Sequence, residues 1–343
     1  MPGELCKETN VRRVPVTRWA ARQVLALLAA VVCLAGMHPA AAPRAELRGG
    51  SNYFTYRVDE DCTREPYGVV NSYDRAPDLV RDQLEQMARG GQKRLRIPLF
   101  HHRGPDSGTV MDSTNGGISR AHLRNLRSLL QDVKATGFEA VEIAFFPMDA
   151  NDPREWQAFD RGLYQENLAV IRQVRAEVVR SGIPYVLDLL NEGAPADDED
   201  VLLQYDRTLW RDYRREFGTS DTVGFSMMVW IAGRVPHLPE VYGDQPPEVL
   251  EVHLYGQPGN GDEYRQFMDA DAALDAIGYR QPLIVGEVYY DDAEAADGIR
   301  RAMADADRRV RHLTQWPWPR ESRCPAADVA PPAAYGAYAA AGF

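Results

Sequence analysis

The sequence predicts a single-domain α/β protein, a (β/α)8 barrel of the TIM type. From about residue 50, short apolar runs alternate with long amphipathic stretches, the order produced when parallel strands are joined by crossover helices. Eight such runs can be read along the chain, and two of them deliver a glutamate at their exit. The length of 343 residues exceeds a usual single domain, but barrels take roughly 200 to 250 residues or more as one unit. Hydrophobic residues at 45% and charged residues at 26% are those of a globular chain and exclude disorder.

Strands are predicted at Tyr53–Arg57, Arg94–Phe100, Ala140–Phe146, Tyr185–Leu190, Val223–Trp230, Val249–Tyr255, Leu283–Val288 and Val310–Trp316. Helices are predicted at Ala76–Arg89, Ser119–Thr136, Trp156–Arg180, Glu199–Phe217, Glu263–Ile277 and Ala293–Ala306. Ser119 is placed to cap the second of these, and Leu123, Leu126, Leu130 and Val133 then share one face. Gly137 and Gly182 stand where helix ends favour a left-handed residue. The connection from Gly233 to Pro247 is Pro-rich with room for a short helix only, and no helix is predicted after the eighth strand.

Residues 1–42 read as a secretory signal. Five Lys/Arg and two Glu give this segment a net charge of +3, and the apolar run Val24–Met37 follows, with Ala40, Ala41 and Ala42 as small residues for cleavage. The alternative, a membrane anchor, needs about 20 apolar residues, more than this run supplies. Arg12-Arg13 is the pair of a twin-arginine signal, but the residues after it do not strengthen that reading. The barrel is then expected over 43–324, with an Ala/Pro-rich tail over 325–343 that carries few large apolar residues and is surface-packed or mobile. Removing +3 takes the formal charge from −11 to −14, which disfavours nucleic acid and anionic membrane surfaces as partners. Cys6 and Cys33 leave with the signal, and the remaining Cys62 and Cys324 invite a disulfide in an oxidising compartment; two unrelated buried thiols are the alternative. The expected product is a secreted or periplasmic monomer, without stable membrane insertion, cofactor or metal.

Barrels carry their chemistry at the C-terminal ends of strands. The apolar strand Tyr185–Leu190 ends in Asn191-Glu192, and Leu283-Ile284-Val285-Gly286 ends in Glu287. Two carboxylates facing one bond are what glycosidic cleavage requires, although either could instead pair with an Arg or cap a helix. Arg96 lies inside an apolar strand, where burying an unpaired guanidinium is costly, so a carboxylate partner is expected. His253 and Tyr255 alternate onto one face of the sixth strand, within reach of the seventh-strand carboxylate. Trp316 and Trp318 close the eighth strand with aromatic faces suited to a sugar ring, and His101, His102, Phe146 and Trp230 fall near strand exits that line a cleft.

Together, Arg96-Ile97-Pro98, Asn191-Glu192, His253-Leu254-Tyr255, Gly286-Glu287 and Trp316 resemble clan A of the retaining glycoside hydrolases, in particular the family 5 cellulase and mannanase type. The resemblance spans about residues 50 to 320. It implies double displacement on a β-linked oligo- or polysaccharide, with Glu192 as acid/base and Glu287 as nucleophile. It further implies that Asn191 binds the 2-hydroxyl, that Arg96 and Tyr255 orient Glu287, that His253 lines the −1 subsite and that Trp316 forms its floor. The chain departs from the family in placing His101-His102 after strand two and in ending strand three with Phe145-Phe146-Pro147. Alternative readings are an inactive carbohydrate-binding barrel, a family 39-like hydrolase of bacterial exopolysaccharide, and a metalloenzyme using Asp149, Asp152, His101 and His102.

Overall fold

The computed structural model describes residues 49–343 apart from 258, 260, 322, 325–327 and 329–332. The predicted signal at 1–42 therefore lies outside the described residues. Eight parallel strands form the barrel: β1 (Gly50–Asn52), β2 (Arg94–His102), β3 (Ala140–Pro147), β4 (Tyr185–Asp188), β5 (Thr222–Gly224), β6 (Leu250–Leu254), β7 (Leu283–Val288) and β8 (Val310–Gln315). They follow one another in space as β5-β4-β3-β2-β1-β8-β7-β6. A single parallel bridge, Met227 with Val252, links β5 to β6 and completes the ring. There Met227 donates its N–H to Glu251 (3.0 Å), and His253 donates to Met227 (2.8 Å).

The connections are α1 (Pro77–Arg89), α2 (Arg120–Ala135), α3 (Arg161–Ser181), α4 (Asp200–Phe217), the short pair α5 (Ile231–Arg234) and α6 (Leu238–Tyr242), α7 (Glu263–Ala276) and α8 (Ala293–Asp305). Ser119 caps α2 by accepting from His122 N–H, and Leu126, Leu129, Leu130 and Val133 are buried on its inner face. Each fully buried leucine of this kind contributes about 1.5–3 kcal/mol. Gly137 and Gly182 hold the left-handed conformation at the ends of α2 and α3, with φ of 92° and 66°. No helix among the described residues is long and apolar enough to cross a membrane.

Several boundaries differ from the sequence reading, for local reasons. β1 begins at Gly50 and ends before Tyr53. Gly49-Gly50 resembles a turn in sequence, yet it permits close approach: a Cβ at Gly50 would lie 1.8 Å from the Arg94 carbonyl, and one at Gly49 1.9 Å from that of Leu313. β5 stops at Gly224, whose φ of 77° turns the chain away before Trp230. α3 starts at Arg161, where Asp160 accepts from the N–H groups of Gly162 and Leu163.

The tail contains a helix, α9 (Gly336–Ala341), that was not expected. Tyr335, Tyr338 and Phe343 join the main hydrophobic core, so three aromatic side chains anchor a segment otherwise poor in large apolar residues. Where the first and last strands pair, Gln315 donates to Ser51 Oγ (3.1 Å) and to the Ala334 carbonyl (2.7 Å). Cys62 and Cys324 form a disulfide, with S–S 2.06 Å, joining the loops after those same two strands.

Candidate active site

The guanidinium of Arg96 is fully buried at the centre of the barrel. Its neighbours in register are Asn52 on β1 and Glu142 on β3, so the three occupy one layer. Nε donates to Glu142 Oε1 (2.6 Å) and lies 3.0 Å from Glu251 Oε1. Nη1 donates to Asn52 Oδ1 (3.0 Å) and Glu287 Oε1 (2.8 Å), and Nη2 donates to Asp188 Oδ2 (2.8 Å) and Asn191 Oδ1 (2.7 Å). Four carboxylates and two amides thus surround one cation.

Above this layer, β7 delivers Glu287, which also accepts from the Tyr255 hydroxyl at 3.0 Å. From the opposite wall comes Glu192, whose φ is 52°. A left-handed conformation is unfavourable for a glutamate and is held here by its surroundings. Glu192 N–H donates to Ser226 Oγ (2.7 Å), and Ser226 in turn donates to Asp188 Oδ2 (2.8 Å). The Glu192 side chain is 24% exposed and that of Glu287 only 7%. His253 stands between them, with Nδ1 3.1 Å from Glu192 Oε1 and 3.6 Å from Glu287 Oε2, and Nε2 3.2 Å from Glu251 Oε1. Oxygens of Glu192 and Glu287 lie within 4.8 Å of each other.

Five carboxylates face two cations in this cluster, so the acids compete for charge. Burial and the Arg96 guanidinium disfavour the charged ring of His253, but the surrounding carboxylates prevail and raise its pKa to about 10. Burial drives Glu287 up to about 7, with Glu192 adding to the rise and His253 and Arg96 opposing it. Glu192 is lowered: burial would raise it, but the hydrogen bond and charge of His253, with Arg154 and Arg96, outweigh that cost. Asp188 rises to about 6 through burial and repulsion from Glu251. Glu251 falls to about 2, because Arg96 and His253 overcome its burial. Glu142, which faces Glu251, is raised by burial and that repulsion.

Among the described residues, two groups could hold a cation geometrically, Glu142 with Asp188 and Glu251, and Glu192 with His253 and Glu287. Arg96 binds all three acids of the first group, and the charged ring of His253 belongs to the second, so protein cations already serve both. Glu142, Asp188 and Glu251 were missed in the sequence, although each is an acid flanked by apolar residues within a strand.

An aromatic wall of Phe54, Phe100, Tyr255, Tyr289 and Trp316 adjoins the carboxylates, with Phe146, Val229 and Trp318 packed against it. Trp316 stacks on Phe54 at 4.8 Å and faces Phe146 at 6.0 Å, while its Nε1 donates to Asp328 (2.7 Å). Next to Val229, Trp230 is 65% exposed with φ of 62°. His101 and His102 are occupied at the β2 exit: His101 bonds Ser113 Oγ (3.0 Å), and His102 bonds Asp149 (2.6 Å) and the Pro105 carbonyl (3.0 Å). Burial lowers His101 to about 3, leaving it neutral. Asp152 accepts from Arg154 and His101 pairs with Ser113, so of the four residues of the metalloenzyme alternative only His102 and Asp149 bond each other.

No protein-family model matches the sequence, and no curated protein matches it. Solved structures do match the fold. An exo-β-1,4-mannosidase from Opitutaceae bacterium strain TAV5 is 16% identical with a TM-score of 0.52, over 79% of this chain and 51% of that one. The chain thus spans about half the length of that mannosidase. A GH5_18 protein from Streptomyces cattleya, solved with Manβ1-4GlcNAc, is 14% identical with a TM-score of 0.56, over 87% and 79% of the two chains. A GH5 xyloglucanase of Bacteroides ovatus, in complex with a XXXG heptasaccharide, is 13% identical with a TM-score of 0.54, over 88% and 77%. The chain shares its barrel fold with these glycoside hydrolases.

Proposed function

We propose that the protein is a retaining glycoside hydrolase acting on β-linked oligo- or polysaccharide, with Glu287 as nucleophile and Glu192 as acid/base. The observation that carries this reading is the approach of the two carboxylates to within 4.8 Å across the barrel mouth. Retaining enzymes hold the pair about 5–5.5 Å apart, whereas inverting enzymes need about 6.5–9.5 Å to admit a water between them. The disulfide favours an oxidising compartment outside the cytoplasm.

In this reading Glu287 attacks the anomeric carbon and forms a glycosyl ester, while Glu192 gives its proton to the departing oxygen. Glu192 then takes a proton from water, whose oxygen displaces Glu287 and restores the β anomer. Arg96 and Tyr255 hold the two oxygens of Glu287 in the attacking position. Asn191, fixed by Arg96, reaches the 2-hydroxyl, and Trp316, Phe146 and Trp230 present aromatic faces to sugar rings. The test is proton NMR of hydrolysis on an aryl β-glycoside panel. The β anomer should appear first and mutarotate later; first appearance of the α anomer would exclude the double displacement.

The roles require one proton on the pair, finally on Glu192. In the resting site that proton lies on Glu287, the more buried acid, so it must pass to Glu192 when a bound sugar displaces water from the cleft. The pair titrates as a unit. Above about pH 7 it loses its single proton, and below the depressed pKa of Glu192 it gains a second. A bell-shaped pH profile of kcat/KM is therefore expected, with its alkaline limb falling through about pH 7. A rate that keeps rising to pH 9 would contradict it.

A further inference from the structure

Gly286 immediately precedes Glu287 on β7, and its backbone is not in the left-handed region, so its conformation does not demand glycine. Space does. A Cβ at this position would meet Glu251 Oε1 at 1.7 Å, Cδ at 2.6 Å and Cγ at 2.9 Å, and these are its three nearest atoms. The pairing of β6 with β7 shifts at the same point: Val252 is opposite Val285, but His253 is opposite Glu287. Gly286 is thus the extra residue of a bulge, a device that re-aims the following side chain. Its carbonyl accepts from Asn52 Nδ2 (2.8 Å) and Thr314 Oγ1 (2.6 Å), which pins the bulge.

The carboxylate occupying that space is fully buried in the barrel wall, beneath the catalytic pair. Its Oε1 takes Arg96 Nε at 3.0 Å and His253 Nε2 at 3.2 Å. With Nε2 anchored from below, Nδ1 is directed upward at Glu192 and Glu287. A neutral imidazole has one donor nitrogen and can satisfy carboxylates on only one side. Donation at both ends needs the charged ring.

We propose that Glu251 is a positioning residue for the reaction: it anchors His253 as a two-ended donor bridging the catalytic glutamates, and Gly286 is glycine to leave room for its carboxylate. This rests on Glu192 and Glu287 being the catalytic pair. The groups facing His253 are Glu192 and Asp188 from β4 and its exit, Glu251 from its own strand, Glu287 from β7 and Arg96 from β2, with Glu142 from β3 acting through Glu251. Among these acids, Glu251 alone bonds the Nε2 end.

The experiment is Glu251→Gln, which keeps the shape and removes the charge, read first by nitrogen-15 NMR of the histidine rings across pH 5 to 9. In the parent, His253 should stay doubly protonated through pH 8; in the variant, its titration should move down by about one pH unit or more, the scale set by one close carboxylate. The kcat should fall about 10- to 100-fold with KM changed less than about threefold, because the anchored geometry matters most in the transition state. A second measurement tests the glycine. Gly286→Ala alone should lower Tm sharply, whereas adding it to Glu251→Ala should lower Tm by a small fraction of that amount, a strong coupling of neighbouring sites. Superimposable His253 titrations in parent and Glu251→Gln, or equal Tm losses in both backgrounds, would overturn the proposal. Both readouts need no turnover, so they separate a failure of this anchor from a failure of the hydrolase assignment.

Discussion

Glu287→Gln should reduce kcat/KM on aryl β-glycosides by on the order of 10⁴-fold or more while leaving the fold intact, the scale of loss when a nucleophile is removed. Glutamine keeps the size, and its amide oxygen still accepts from Arg96 while its amide nitrogen faces the Tyr255 hydroxyl, but that oxygen cannot form the glycosyl ester. The variant should melt no lower than the parent. Burial holds the Glu287 pKa near 7, so charging this group above that pH costs stability that a neutral amide does not lose. Glu192→Ala should behave differently. Its loss matters least for substrates whose leaving group needs no protonation, and azide, which needs no general base, should restore turnover and yield a β-glycosyl azide. Undiminished hydrolysis by Glu287→Gln would remove this residue from the mechanism.

Arg96→Leu should be the most destabilising substitution in the barrel, at about 3–5 kcal/mol, because it strands buried carboxylates without their cation. The sign of its pH dependence is fixed by the same contacts. Without Arg96, the folded-state pKa values of Glu142, Asp188, Glu251 and Glu287 all rise relative to the unfolded chain. An acid raised in the folded state keeps its stability below the unfolded pKa and loses it as pH climbs through the folded one. The deficit should therefore be smallest near pH 4 to 5 and grow towards pH 8, as measured by urea titration at each pH. A deficit under about 1 kcal/mol at pH 8 would mean that the carboxylates do not depend on this guanidinium.

The barrel was legible because apolar runs and amphipathic stretches alternate at the right lengths, and the boundaries of β2, β3 and β7 follow that pattern closely. β1 was not, since Gly49-Gly50 reads as a turn until the neighbouring carbonyls that need the space are known. Within the site, the exits of β4 and β7 pointed to Glu192 and Glu287, and burial of a guanidinium required carboxylates near Arg96. Which carboxylates was hidden. Glu142, Asp188 and Glu251 look like solvent-facing positions in a sequence, because alternation along one strand does not tell the inside of a ring from its outside. Their apolar flanks on both sides were the available signal. The tail shows the reverse error: an Ala/Pro composition concealed Tyr335 and Tyr338, which are buried because a few large side chains suffice to dock a short segment.

A ring of strands made from one chain has a seam, the place where its earliest and latest portions lie side by side. Here the seam is the pairing of Gly50 with Thr314 and Ser51 with Gln315, only two residues long. Such a short zip, like the single bridge between β5 and β6, is a point where thermal fraying can open the ring. The Cys62–Cys324 bond crosses that junction, joining two cysteines at a sequence separation of 262. It closes residues 62 to 324 into a covalent loop, which keeps the exits of the first and last strands near each other when the seam parts and limits how far the opening spreads.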